Sequence, residues 1–513
     1  MIDVFSSGSD DVGMTKPLIL LATIAFCFCV NESRAEDLMA GVGKVDITRE
    51  GADAGTNPLW VKAVAISRGK THAIIVSVDA VAIAEIGSIK DPYLKNVRSA
   101  VQKSLGISPE SIVVNASHCH GVVGLDVEKR TIDAITMAWK NRVPVRAGTG
   151  SGDENRVGEN RRLILKDGSQ ADVRHAYSLP GNDEVAAVGP IDSEIGILRL
   201  DRVENGEPLA VIYNFACHPI QGIPSGGNTA DLTGFASNVI ERNLGDGTAM
   251  ALFLQGCGGD INPVIYKPTN QPRDGEPLGN YLGLSVLEAV RKIKTNADET
   301  LSVANETLVL PRSDLEKRIA EMEVEVDKLV DSLKGTTLNF DAFLPLYVKY
   351  HLSGDYPSYA SHRYLQDEML KRDDWQKLDE NNKAALAAYV KNIRTMEWLT
   401  RKQINLALLE RHHARNKEAG KTVDAEVVGL RVGDFYLVTF PAELTVQIGL
   451  NIKKKSPHKS TFVAGYTNGY LYYAPTSEQL KNRGGAQEDS DCLLAPEWQE
   501  MFEKRVSELL KKL

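Results

Sequence analysis

Short apolar runs rich in β-branched residues alternate with helical stretches from residue 41 to about 266, and that alternation restricts the chain to a layered α/β architecture. The strand-like runs are 73–78, 111–114, 210–216 and 250–254, and helical candidates lie between them at 91–105, 128–141 and 232–244. A largely parallel or mixed sheet is expected. Gly41-Val42-Gly43 opens the first run, but it lacks the third glycine and the following helix that a dinucleotide loop requires.

The pattern changes at 312–420. Ser313 and Glu316 have capping-box spacing, and Leu315, Ile319, Met322, Val326, Leu329 and Leu333 recur at intervals of four and three before Gly335. A second long helix is expected from about 380 to 416, with Gly420 as its stop. The segment reads as an inserted helical hairpin or subdomain whose apolar stripe packs on the main domain. Strand signals then return at 425–432 and 435–440, joined by a Gly433-Asp434 hairpin turn, and the second run ends at Pro441-Ala442-Glu443. A tyrosine-dense loop occupies 465–473, and a last helix is expected at 496–510.

Charge excludes one class of partner. The 513 residues hold 59 Lys plus Arg against 68 Asp plus Glu, a formal charge of -9, with no basic stripe to follow a nucleic-acid backbone. Residues 1–35 read as an N-terminal extension and signal peptide. Lys16 precedes the apolar run 17–30, Ser33-Arg34-Ala35 offers small residues for cleavage near Ala35, and Met14 is the expected start. The run is too short for a comfortable span, so an exported chain, periplasmic or secreted, with no transmembrane segment is expected, its domain covering 36–513. Cys27 and Cys29 would leave with the signal. The remaining Cys119, Cys217, Cys257 and Cys492 are too few for a disulfide scaffold in so long a chain and read as small buried thiols.

Chemistry concentrates where strands end. The run Val113-Val114-Asn115-Ala116-Ser117-His118-Cys119-His120-Gly121 delivers two histidines in an x-His-x-His step. Side-chain alternation would put His118 and His120 on one face and Cys119 on the other. Paired imidazoles at a strand's carboxyl end suggest a metal or acid/base site, with two ordinary polar residues as the plain alternative. His218 stands where Pro219 stops another strand, and Gln255-Gly-Cys-Gly-Gly-Asp260-Ile-Asn262-Pro263 follows a third. Taken alone, His218 reads as a capping histidine and Asp260 as a turn residue.

Together these segments resemble the catalytic domain of the neutral ceramidase family. Gly41-Val-Gly-Lys-Val-Asp46-Ile-Thr48 is similar to its Gly-x-Gly-x-x-Asp-Ile-Thr segment, and Ser117 to Gly121 to its Thr-His-Thr-His-Ser-Gly segment. Asn214 to Pro219 resembles Asn-x-Phe-Ala-x-His-Pro, and Gly259-Asp260-Ile261-Asn262-Pro263 resembles Gly-Asp-Val-Ser-Pro. Pro441-Ala442-Glu443 resembles Pro-Gly-Glu, and Asn468 to Tyr473 matches Asn-x-Tyr-x-x-Tyr.

The resemblance implies a Zn²⁺ held by His118, His218, Glu443 and Tyr473, with Tyr470 and Tyr472 as close neighbours of that last ligand. It implies that His120 contacts the reacting group. The implied reaction is hydrolysis of a linear amide by a zinc-activated water, with N-acylsphingosine the default among lipid or small-molecule substrates. Asn262 replaces the family's serine and cannot form an acyl-enzyme, so it is expected to act by hydrogen-bonding substrate. Asp231 either orients a histidine or caps the helix it begins, and Asp260 and Tyr470 are expected to support the site or touch substrate. The family's C-terminal immunoglobulin-like domain is not expected in this chain. Two other readings remain: the same centre acting on a different amide, ester or glycoside, and a non-catalytic binding protein on this fold.

Overall fold

Eight of the strands form one mixed sheet in the computed structural model, which describes residues 37–513 apart from 52–56, 175–176, 223–227, 265–272, 299 and 353–361. The expected signal segment, 1–35, lies outside the described residues. In spatial order the strands are Met250–Gln255, Pro208–Phe215, Glu194–Arg202, Val143–Asp153, Met39–Asp46, Trp60–Arg68, Thr71–Val78 and Ile112–Ala116. The two outermost pairs are parallel and the pairs between them antiparallel.

Alternation of side chains makes this sheet the middle of a layered stack. Val64, Ile66, Ile75, Leu198 and Ile212 face a second sheet, meeting its Leu430, Phe435, Leu437 and Phe462 in one buried cluster. That sheet runs Leu301–Pro311, Thr422–Val432, Phe435–Thr439, Thr461–Ala464. Residues of the opposite parity face helices: Ala63 and Val76 share a cluster with Val97 and Ile135 of Pro92–Leu105 and Val127–Lys140. Ile197 and Val211 likewise meet Ile240 and Val286 of Asp231–Arg242 and Glu276–Val290. Helices Val446–Lys455 and Trp498–Lys512 cover the far side of the smaller sheet, where Trp498 and Phe502 are fully buried.

The glycine pair of the first strand has a packing role. A Cβ at Gly41 or Gly43 would lie 2.2 or 2.1 Å from the carbonyl oxygens of Ala138 and Ala134, so the helix rests directly on the strand backbone.

Between strands Leu301–Pro311 and Thr422–Val432 the described residues form four helices: Glu316–Ser332, Phe340–Leu352, His362–Met369 and the 46-residue Asp374–Ala419. Two details differ from the sequence reading. The capping box is absent, because the helix starts at Glu316 and its first amide is held by the Asp314 carboxylate at 3.1 Å, leaving Ser313 outside the cap. The expected second helix starts earlier, at Asp374, and is preceded by the two shorter helices. Among the described residues no helix is long and apolar enough to cross a membrane.

Candidate metal centre

Three strands end at one place. Beyond Ala116 the chain reaches His118, beyond Phe215 it reaches His218, and beyond Thr439 it reaches Glu443 in the two-residue strand Glu443–Leu444. Carboxyl ends of strands are where α/β sheets leave a crevice for chemistry.

His118 is not part of a strand. Its φ of 68° is left-handed, so the alternation expected to pair it with His120 does not operate. The two rings still lie close, with centroids 5.5 Å apart and nearly perpendicular, because the backbone turns at His118. Cys119 is buried in the core.

The ligand atoms of His118, His218 and Glu443 all lie within 4.8 Å of one another, and all three residues are buried. Each imidazole is fixed through its other nitrogen. His118 Nδ1 lies 2.6 Å from the Val81 carbonyl, and His218 Nδ1 lies 2.6 Å from that of Gly258 and 3.1 Å from that of Ile261. A carbonyl only accepts, so each Nδ1 carries the proton and each Nε2 keeps its lone pair. Those nitrogens face Glu443 Oε2 at 3.5 and 3.1 Å. Three electron-pair donors meeting without a proton between them could hold a metal ion, and imidazole with carboxylate is a donor set that Zn²⁺ or a similar ion accepts. Carbonyl contacts behind each histidine are the outer support that metal-binding imidazoles use.

Electrostatics agree with this donor set. Burial, the largest influence, pushes His118 down to about 4 against the pull of Glu443, and it lowers His218 with help from the Arg161 charge. Burial alone would raise the Glu443 carboxyl, but His118, His218 and the Tyr470 hydroxyl together hold it well below the usual range. Both imidazoles are therefore neutral and the carboxylate is ionised at neutral pH.

The tyrosine loop closes the other side. Tyr473 pairs with Glu443 across adjacent parallel strands, and its hydroxyl accepts from Arg161 Nη2 at 3.0 Å. The hydroxyls that donate to Glu443 are those of Tyr470 and, at 3.3 Å, Tyr466. Tyr466 also lays its ring against His118, centroids 4.4 Å apart.

The remaining expected residues divide by what they touch. His120 is half-buried beside His118. Asn262 is buried; its Oδ1 accepts from Arg161 at 3.3 Å and its Nδ2 donates to the Val173 carbonyl at 3.2 Å. Asp260 caps the helix that follows Glu443, accepting the Val446 amide at 2.7 Å. Asp231 heads its helix with a left-handed φ of 51°. Its carboxylate takes the amides of Gln221 and Gly222 at 3.2 and 2.6 Å, tying down the loop after His218.

Four important residues have no metal-ligand signature in the sequence: Tyr466, Arg161, Asn115 and Gln255. Arg161 is buried and joins the Gly259 carbonyl, Asn262, Tyr473 and Glu488. Gln255 Nε2 bridges the carbonyls of Ser117 and Cys217, the residues just before the two histidines, at 3.2 and 2.8 Å. Asn115 donates to the Gly465 carbonyl and the Thr467 hydroxyl at 2.8 and 2.9 Å, which seats the tyrosine loop. A buried polar residue inside an apolar strand, as at Asn115, is the signal that could have found it. All four described cysteines, Cys119, Cys217, Cys257 and Cys492, are free and buried.

No protein-family model and no curated protein matches the chain. Solved structures do. The neutral ceramidase of Pseudomonas aeruginosa superposes with a TM-score of 0.57 at 16% identity, over 93% of this chain and 75% of that one. A ceramidase complexed with C2 gives a TM-score of 0.56 at 16% identity, with the same coverage. The chain has the mixed α/β fold of the neutral ceramidases.

Proposed function

We propose that the chain is a zinc-dependent hydrolase of the ceramidase type that cleaves a linear amide bond, with N-acylsphingosine as the first substrate to test. One observation carries the reading: on a neutral-ceramidase fold, His118 Nε2, His218 Nε2 and Glu443 Oε2 converge with both Nδ1 atoms committed to backbone carbonyls.

His118, His218 and Glu443 would hold the ion, with Tyr473 the neighbouring oxygen on the paired strand. A bound Zn²⁺ supplies Lewis-acid polarisation of a carbonyl and makes water a nucleophile near neutral pH. The protein's own groups do the rest. His120 is the half-buried imidazole of the cluster, and it exchanges a proton with the attacking water and the leaving amine. Arg161 keeps a buried positive charge beside Tyr473 and Asn262, where oxyanion charge can be offset. Asn262, tied to Arg161 and Val173, offers no nucleophile, so hydrolysis proceeds without an acyl-enzyme on that residue.

The experiment is metal analysis and turnover on one preparation. His218→Ala is expected to abolish both stoichiometric zinc and hydrolysis, whereas His120→Ala keeps zinc and loses turnover. Full activity in metal-free His218→Ala would overturn the proposal. A panel of ceramide, N-acyl amino acids and esters then reads the bond and substrate class. Export is proposed on the 17–30 apolar run and is read by the mature N-terminus of the exported protein.

A further inference from the structure

A roomy cavity lies away from the candidate metal centre, among the helices between Leu301–Pro311 and Thr422–Val432. It measures about 800 Å³, within the range of sites that hold small organic ligands, and Leu329, Leu386, Val390 and Trp398 supply much of its apolar wall. Its charged lining is one-sided. Lys383, Lys391 and Arg394 all face it, and among the described lining residues none is a carboxylate. The nearby Asp379 carboxylate accepts the Tyr350 hydroxyl and is not among the lining residues, and Asp183 meets Arg394 only at 3.9 Å with both side chains more than half exposed.

The spacing of the cations sets a direction. Lys391 and Arg394 are three residues apart on Asp374–Ala419, so they lie side by side on one helix face. From Arg394 back to Lys383 the helix rises roughly 16 Å, which gives a track past Val390 and Leu386 long enough for most of an extended alkyl chain leading away from the cationic pair. We propose that this groove binds a long-chain aliphatic carboxylate, its anionic head held by Lys391 and Arg394 and its tail laid along Leu386 and Val390. The site is separate from the metal centre and does not depend on the hydrolase reading.

Equilibrium dialysis of the full chain against palmitate below its micelle concentration tests this. Saturable binding of one palmitate is expected, with hexadecyltrimethylammonium, the same tail under the opposite charge, failing to compete. The double charge reversal Lys391→Glu with Arg394→Glu is expected to raise Kd about tenfold or more. Ala387→Trp, at an exposed position lining the groove, should block binding without touching the core. A circular dichroism melt confirms that each variant folds. No saturable binding, equal binding of both amphiphiles, or binding unchanged in both variants would overturn the proposal. Binding that persists in both variants but disappears in His218→Ala would place the carboxylate at the metal centre instead, and so would also overturn it.

Discussion

The candidate metal centre and the helical segment 316–419 both bury polar residues, but the helical segment also leaves large apolar ones exposed. At the centre, polar groups are sunk deep and nearly every one is held by backbone or side-chain hydrogen bonds. In the helical segment the distribution along the chain is inverted. The inner half of Asp374–Ala419 buries Arg401, Asn405, Leu409, His412 and Asn416, four of them polar, while Phe340, Leu344, Val348 and Leu352 of a neighbouring helix stand exposed. Specific bonds hold the inner half: Arg401 to Asp172 at 2.9 Å, His412 to Asp491 at 2.6 Å, and Asn416 to the Ser313 carbonyl at 2.8 Å. Buried polar groups demand named partners, so both regions are ordered where those partners exist. The outer helices rest on a small cluster around Phe343, Tyr350 and Leu386.

Arg161→Leu is the severest test of this contrast. It strips partners from Glu488 and Tyr473, and an expected loss of about 3–5 kcal/mol in urea unfolding reflects a broken buried ion pair. A loss under about 1 kcal/mol would show that the centre does not rest on its ionic network. Leu409→Ala comes next, at about 3 kcal/mol, because this side chain is fully buried between Leu315 and Met322 at the helical seam. Chelation should then lower stability by about 2.7 kcal/mol relative to protein held at a hundredfold excess of ion over Kd. A melting curve unmoved by chelator would separate the centre from any metal. The smallest effect is expected for Phe340→Ser, within about 0.5 kcal/mol, since the side chain is 61% exposed. A loss comparable to Leu409→Ala would mean that the outer helices are packed as firmly as the inner seam.

Much of the architecture is written as pattern. The four strand-like runs lie within or overlap observed strands, and Gly433, with a φ of 54°, turns the hairpin between Thr422–Val432 and Phe435–Thr439 as the Gly-Asp pair suggests. Helices Phe340–Leu352 and His362–Met369 escaped a reading by apolar period. The first carries apolar residues on both its packed and exposed faces, with Pro345 inside it. The inner face of Asp374–Ala419 repeats at helical spacing, but in polar residues that apolar periodicity does not register.

Local properties, their residue types and the breaks after apolar runs, place His118, His218 and Glu443 at strand ends, and the resemblance to the neutral ceramidases is what groups them as ligands. Local properties also determine the strands themselves. What tertiary structure decided is the meeting of these donors. The left-handed turn at His118, the Gln255 bridge between the two histidine loops and the seating of Tyr466 by Asn115 all depend on contacts between distant segments. Only those contacts assign the proton to each Nδ1 and aim each Nε2 at one carboxylate, since a side chain's direction and tautomer are set by its surroundings.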